Sequence, residues 1–214
     1  MNDELEHVMQ RTRQYWFSDG LVELSVGGTF IILGLYFYIQ SILPSESLVL
    51  LAIQAGFVFL LFGVIFLSRY VVNKFKSHLT FPRTGYVSYN RATKKQRIVS
   101  AGTAILIAAL NIVLFLATPL SLNWIPAITG LVVGIIWLIS AFRVGLLRFY
   151  LQSILSLLLG VGLSLAKLET YQSLAVYYAA MGLVLILSGG LTLLKYIRLN
   201  PPVENDLPAR ELSS

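Results

Sequence analysis

Six long apolar stretches occupy most of this 214-residue chain, and each approaches the length that a helix needs to cross a lipid bilayer. They run over residues 21–43, 48–72, 98–118, 124–142, 145–166 and 173–196. A helix crosses about 30 Å of hydrocarbon with roughly 20 apolar residues. None of the stretches shows the alternating polarity of barrel strands. The sequence therefore predicts an all-α integral membrane protein, a bundle of six transmembrane helices.

The composition also indicates a bilayer as the solvent. Hydrophobic residues make up 57% of the chain and charged residues 12%, about half of the ~25% that is typical of soluble domains. The longest polar segment between spans, residues 73–97, is too short to fold as an independent domain. The chain has no cysteine, which excludes disulfides, thiolate metal sites and cysteine nucleophiles.

Basic residues lie almost entirely on one side of the predicted bundle. All of the 16 lysines and arginines except Lys167 flank the same membrane face. Cytoplasmic loops carry the excess of basic residues in membrane proteins, so both termini and the basic loop 73–97 are predicted to be cytoplasmic. The net charge of +6 belongs to that face and suits anionic lipid headgroups. We expect no nucleic-acid partner.

The segments outside the bundle have patterns of their own. Residues 1–20 place apolar side chains near one helical face and lack the apolar core of a signal peptide. They are predicted to form a cytoplasmic amphipathic helix at the membrane surface. The transmembrane domain follows over residues 21–198, and its first helix is predicted to be an uncleaved signal-anchor. Residues 199–214 are polar and rich in proline, which predicts a disordered cytoplasmic tail.

An internal repeat is a further prediction. In the second, fourth and sixth spans a glycine is followed thirteen residues later by a basic residue. Residues 56–70 also align without a gap with residues 182–196. This predicts three repeated helical hairpins, made of spans 1–2, 3–4 and 5–6. The alternative is a chance likeness between apolar helices that each end in a cation.

Glu23 is the one carboxylate inside a predicted span. Asp19 precedes it by one helical turn, so both side chains lie near the cytoplasmic rim on the same face. Carboxylates within membranes are costly and often functional, which makes Glu23 a candidate for ligand binding or proton coupling. The alternative is an ion pair with Arg148 or Arg143 across the bundle.

Three amides are the other polar candidates within the spans. Gln54 and Asn111 both fall in the outer half of the membrane, where they either bond to each other or line a binding cavity. Gln152 begins a stripe with four-residue spacing on the fifth span, which is either a polar pathway or a packing face. The residues with helix-packing spacing are Gly130, Gly134, Ser156, Gly160 and Ser164.

The cytoplasmic loop is the predicted site of contact with lipid or a soluble partner, and a plug over a cytoplasmic opening is the other alternative. Its segment LTFPRTGYVSYNR combines turn residues with aromatic side chains that suit the headgroup layer. The candidate contact residues are Arg83, Tyr86, Tyr89, Lys94, Lys95 and Arg97.

The motif FPRTGYV, together with RTRQYWFSDGLVEL before the first span, resembles segments of small, uncharacterised, multi-pass bacterial membrane proteins. The resemblance implies a location in the bacterial cytoplasmic (inner) membrane. It carries no activity, so it implies no function.

Missing motifs narrow the predicted function. The chain has no HExxH, GxSxG or phosphate-binding GxxxxGK[ST] sequence, and both histidines lie outside the spans. We therefore expect a non-enzymatic protein without a cofactor or metal, an accessory or scaffold component of a membrane complex or a homo-oligomer. The alternative is a small transporter or the membrane-embedded substrate-binding subunit of one. In size and span number the chain resembles such subunits of energy-coupling-factor vitamin importers.

Overall fold

The computed structural model describes residues 17–44, 46–80 and 122–201, together with Gln14. All regular elements in these ranges are helical. The α-helices are α1 (Leu21–Ile42), α2 (Leu48–Ala55), α3 (Phe57–Phe75), α4 (Ile125–Val144), α5 (Leu147–Leu165) and α6 (Thr170–Leu199). A π-helical turn, Lys76–Thr80, follows α3, and a 3-10 turn, Leu122–Trp124, precedes α4.

Four of these helices, α1, α4, α5 and α6, are long and apolar enough to cross a membrane. They correspond to the first, fourth, fifth and sixth predicted spans. For the described residues, the prediction of an all-helical protein with helices suited to a membrane is confirmed. The third predicted span, 98–118, lies outside the described residues, so the count of six spans stays a prediction.

The second predicted span, 48–72, contains two helices where the sequence pattern predicts one. α2 ends at Ala55 and α3 begins at Phe57, with Gly56 between them. Glycine is a poor helix former because its backbone loses the most conformational freedom on folding. The N–H of Gly56 still bonds to the carbonyl oxygen of Ala52 at 2.9 Å, so the interruption is short.

α1 and α6 form the most extensive helix pair in the described part of the chain, and they run antiparallel. A Cβ on Gly27 would lie 2.9 Å from the carbonyl oxygen of Gly182, and a Cβ on Gly189 would lie 2.7 Å from that of Gly20. Only glycine permits backbones to come this close. The contacts recur every seven residues, the spacing of left-handed helix pairs.

α4 and α5 form a second antiparallel pair. Gly145 connects them with a φ of 75°, in the left-handed region that glycine adopts without strain. A Cβ on Gly130 would lie 2.9 Å from Cα of Gly160. The two pairs meet around an apolar core, whose buried members are Trp137, Ala141, Val144, Phe149, Tyr177, Met181 and Leu185.

This pairing differs from the predicted hairpin repeat. The main partner of α6 is α1, and the contact of α6 with α5 is much smaller. Gly63, which aligns with Gly189, has no described atom within 4 Å of a Cβ placed on it. Because the aligned glycines do not make equivalent contacts, the repeat is not confirmed.

Candidate functional site

Glu23 lies in the first turn of α1 and has only 1% of its surface exposed. Its Oε1 atom lies 2.8 Å from Nε of Arg148, the second residue of α5. The predicted ion pair across the bundle is confirmed, and the cation is Arg148. A buried carboxylate needs such a partner because removing it from water alone is very costly.

Arg148 connects three parts of the chain. Nη1 donates to Oγ1 of Thr192 in α6 at 3.1 Å, and Nη2 donates to the carbonyl oxygen of Phe17 ahead of α1. Its guanidinium also lies 5.4 Å from the ring centre of Phe149. Nε is close to Glu23 but makes no aligned hydrogen bond, so attraction between those two atoms is mainly electrostatic.

Gln152 completes the surroundings of Glu23. Its Nε2 donates to Oε1 of Glu23 at 3.2 Å and to Oγ of Ser188 at 3.3 Å. The Oε1 atom of Gln152 is buried and has no hydrogen-bond partner in the structure. Gln152 lies one helical turn after Arg148 on α5, and both residues contact Glu23 of α1.

A second buried ion pair lies one helical turn from the first. Oδ2 of Asp19 is 3.1 Å from Nζ of Lys76, and both side chains are almost fully buried. Asp19 also accepts a hydrogen bond from the N–H of Leu21 at 3.2 Å, at the positive end of α1. Burial lowers the pKa of Lys76 from its ordinary value, and the Asp19 carboxylate opposes this effect.

Together these residues form a buried charge cluster, defined as Asp19, Glu23, Lys76, Arg148, Gln152, Ser188 and Thr192. It lies where α1, α5 and α6 come together and reaches the end of α3 through Lys76. The charges are paired and the amide and hydroxyl donors are used inside the protein. Such an arrangement positions helices relative to one another, since each pair has a defined geometry.

The amide of Gln54 bonds to a partner that the sequence pattern did not indicate. Its Nε2 donates to Oε1 of Gln40 at 3.4 Å. Both line a half-open cavity of about 340 Å³ at the opposite end of the bundle, together with the acids Glu46 and Glu169 and the aromatic Tyr171. The predicted partner of Gln54, Asn111, lies outside the described residues.

The stripe on the fifth span is a packing face. Ser156 Oγ donates to the carbonyl oxygen of Gly130 at 2.8 Å, and Ser153 Oγ donates to that of Gly134 at 2.7 Å. Ser164 accepts a hydrogen bond from the N–H of Ala127 at 2.9 Å. These bonds join α5 to α4, and Gly160 lies between them against Gly130, as described above. Of the two uses considered for the stripe, the structure shows close helix packing.

The other candidates from the sequence lie outside the described residues. They are Asn111, Arg83, Tyr86, Tyr89, Lys94, Lys95 and Arg97. The FPRTGYV motif, most of the predicted interfacial helix and the predicted tail beyond residue 201 also lie there. These assignments stay predictions.

Sequence reasoning missed several members of the charge cluster. Ser188 and Thr192 lie one helical turn apart on the sixth span, a spacing that would have placed them on one face. The sequence pattern places Lys76 in the basic loop 73–97 and indicates no buried partner for it. Its contact with Asp19 has no local signal, because 57 positions separate the two residues in the sequence.

Within the described ranges, no three His, Cys, Asp or Glu side chains are placed to hold a metal ion together. Comparison with protein-family models, with curated proteins and with solved structures finds no match for this chain.

Proposed function

We propose that this chain is a non-catalytic accessory or scaffold subunit of a complex in a bacterial cytoplasmic membrane. The observation that carries the proposal is an aromatic ridge on α3, formed by Phe59, Phe62, Phe66 and Tyr70. Their exposed fractions are 80, 61, 74 and 62%. The residues are three or four positions apart and therefore share one helix face.

The opposite face of α3 faces α1. Leu60, Val64 and Ser68 on that face are half-buried, and Oγ of Ser68 lies 3.0 Å from Oγ1 of Thr29. The aromatic ridge thus points away from the other described helices. It is available to a neighbouring protein helix or to lipid.

The exposed face of α6 provides an internal comparison. Its most exposed large side chains there are leucines, with exposed fractions of 55–68%: Leu183, Leu187, Leu191 and Leu194. Val176 on the same face is 47% exposed and is also aliphatic. Leucine is sufficient for contact with lipid tails. Aromatic residues are enriched at protein interfaces, where they account for a large share of binding energy. This contrast favours a protein partner for α3 and lipid for α6.

The closed charge cluster supports a non-catalytic role. Glu23 is paired with Arg148 and accepts a hydrogen bond from Gln152, and it lines neither the cavity at Gln40 nor the groove at Arg69. A catalytic or proton-carrying acid needs access to its substrate or to water. In the proposed role, the cluster fixes the orientation of α1 relative to α5, and so the shape of the surface that binds a partner.

Photo-crosslinking in the native membrane tests the proposal. Benzoylphenylalanine replaces Phe62 or Phe66 on the aromatic ridge, and Leu187 or Leu191 in control variants. We expect the α3 variants to form crosslinks to another polypeptide, which are identified by mass spectrometry of the crosslinked peptides. The α6 variants should crosslink mainly to lipid. Crosslinks from α3 only to lipid or only to this chain would contradict the proposal.

The proposed topology is six spans with both termini in the cytoplasm. It is supported by the basic residues at the ends of α3, α4 and α6, namely Lys74, Arg143 and Arg198. Reporter fusions test it, because alkaline phosphatase is active only outside the cytoplasm. Fusions in the turns at residues 43–47 and 166–169 should be active, and a fusion after residue 214 should be inactive.

A transporter, or the substrate-binding subunit of one, is the second candidate. The half-open cavity beside Gln40 and Gln54 favours it, because its volume of about 340 Å³ lies at the lower end of small-molecule sites. Native mass spectrometry of the gently extracted protein separates the two candidates. Other subunits that co-purify reproducibly favour the complex. A lone chain that carries one defined small molecule favours transport.

A further inference from the structure

A groove of about 390 Å³ runs between α1 and α3 at the basic end of the bundle. Val22, Ser25 and Val26 of α1 form one wall, and Ser68, Arg69, Val72 and Asn73 of α3 form the other. Ser25 Oγ donates to the carbonyl oxygen of Ser68 at 3.3 Å, which joins the two walls of the groove. Its open side is therefore mainly apolar, with one guanidinium beside it.

Arg69 has no carboxylate partner among the described residues. The two acids at this end of the bundle, Asp19 and Glu23, are already paired with Lys76 and Arg148. The other described acids, Glu46 and Glu169, line the cavity at the opposite end. Within the described part of the chain, this exposed guanidinium next to an apolar groove thus lacks an anion of its own.

The depth of Arg69 matches the lipid headgroup region. It shares the groove with Val22, the second residue of α1, and it lies six residues before the end of α3. At 1.5 Å per residue this places it about 9 Å from that end. Basic pockets between transmembrane helices at this level bind anionic lipid headgroups.

We propose that the groove is a binding site for one anionic phospholipid molecule. The guanidinium of Arg69 pairs with the phosphate, a geometry in which arginine donates two parallel hydrogen bonds. One acyl chain lies along Val22, Val26 and Val72. The site therefore binds both the charged headgroup and the hydrocarbon chain of the lipid. This lipid site is separate from the aromatic ridge, and its test does not depend on a protein partner.

Native mass spectrometry of the full-length protein tests the site. The protein is released from nanodiscs that contain phosphatidylcholine with a minor fraction of phosphatidylglycerol. We expect one retained phosphatidylglycerol in the wild type and roughly fivefold weaker retention in Arg69→Gln, the effect of one cation near an anionic headgroup. Arg198→Gln is the matched control, since Arg198 is an exposed arginine at the end of α6. It should retain the lipid.

Two further variants separate the contributions of phosphate and acyl chain. Arg69→Lys keeps the charge and should bind with intermediate strength, because an ammonium cannot form the paired hydrogen bonds. Val26→Trp fills the groove without altering the charge and should also lose the lipid. Unfolding temperatures without phosphatidylglycerol show whether each variant is folded. Val26→Ala replaces Val26→Trp if the larger side chain prevents folding, and it should weaken retention.

Three results would overturn the proposal. Equal losses in Arg69→Gln and Arg198→Gln would show general attraction to the basic face. Unchanged retention in a folded Val26→Trp would show that no acyl chain occupies the groove. Displacement of the lipid by millimolar inorganic phosphate would identify a free-phosphate site.

Discussion

Glu23 and Arg148 form a buried ion pair with 2.8 Å between Oε1 and Nε, although 125 positions separate them in the sequence. The pair joins the start of α1 to the start of α5. Arg148 extends the connection to Thr192 in α6. Three membrane-length helices are thus held together at the basic end by one guanidinium.

Replacing either partner of this pair should destabilise the protein. Arg148→Gln leaves Glu23 buried without a cation, and loss of one partner of a buried pair costs about 3–5 kcal/mol. Glu23→Gln should cost less, because Arg148 is partly exposed (22%). The measurement is the free energy of unfolding in mixed micelles titrated with sodium dodecyl sulfate.

The double variant Glu23→Gln/Arg148→Gln completes a mutant cycle. We expect it to lose less than the sum of the single losses, with a coupling of about 1–3 kcal/mol. Glu169→Gln removes an exposed carboxylate and should stay within about 0.5 kcal/mol of the wild type. Strictly additive losses would show that the pair contributes no coupling.

Two adjacent glycines in α1 should respond oppositely to alanine. A Cβ on Gly27 would lie 2.9 Å from the backbone oxygen of Gly182, whereas a Cβ on Gly28 meets nothing within 4 Å. Gly27→Ala should therefore push α1 and α6 apart and cost about 1–3 kcal/mol. Gly28→Ala should be neutral or stabilising by up to about 1 kcal/mol. Thermal unfolding in detergent measures both.

The same contrast recurs in α5. Gly160 touches the backbone of α4, and Gly162 faces open space. Gly160→Ala should lower the unfolding temperature, and Gly162→Ala should not. Equal effects at Gly160 and Gly162 would contradict the close packing of α4 and α5.

The hydroxyl of Tyr177 should make a modest contribution to stability. It lies 2.7 Å from Oγ of Ser156, whose own proton is donated to the carbonyl oxygen of Gly130. Tyr177→Phe should therefore cost about 0.6–1.7 kcal/mol, the usual value of such a bond between membrane helices. Tyr171→Phe, at an exposed position, is the control for unfolding titrations. A loss no larger than that of the control would argue against the bond.

Lys76 should make stability depend on pH in the alkaline range. Because burial lowers its pKa below 10.5, the unfolded chain binds more protons than the folded chain between the lowered pKa and 10.5. Stability therefore rises with pH in this window. The difference in unfolding temperature between wild type and Lys76→Met should shift in favour of the wild type as the pH approaches 10.5.

Lys167→Met, which removes an exposed lysine, is the control for that titration. A difference that moves in favour of Lys76→Met as the pH rises would show that the attraction of Asp19 outweighs burial.

Local patterns predicted several of these features. The four-residue spacing of Ser156, Gly160 and Ser164 predicts a helix face that packs, and the position of Glu23 near a helix start predicts pairing with a nearby arginine. Both predictions depend only on helix periodicity and on the cost of burying charge. Neither prediction requires knowing which helices are neighbours, except that Glu23 and the arginines lie at the same end of the bundle.

The contacts that the sequence pattern did not predict connect distant segments. Whether the helix continues through Gly56 depends on the tertiary contacts of that segment, which the local sequence does not specify. The pairing of Asp19 with Lys76, and of Gln54 with Gln40, depends on which helix ends come together. The sequence likeness between residues 56–70 and 182–196 predicts equivalent packing, but Gly63 and Gly189 have different surroundings.

The sequence by itself determined the positions and the apolar character of the four membrane-length helices. Long apolar runs require lipid on the outside, and in lipid each backbone amide must bond within its own helix. Only the tertiary structure decided that α1 pairs with α6, and that Arg148 connects Glu23 to Thr192. In a bilayer no water-driven hydrophobic force distinguishes one apolar helix from another. Partner choice depends on close backbone contacts and buried polar pairs, whose two halves lie far apart along the chain.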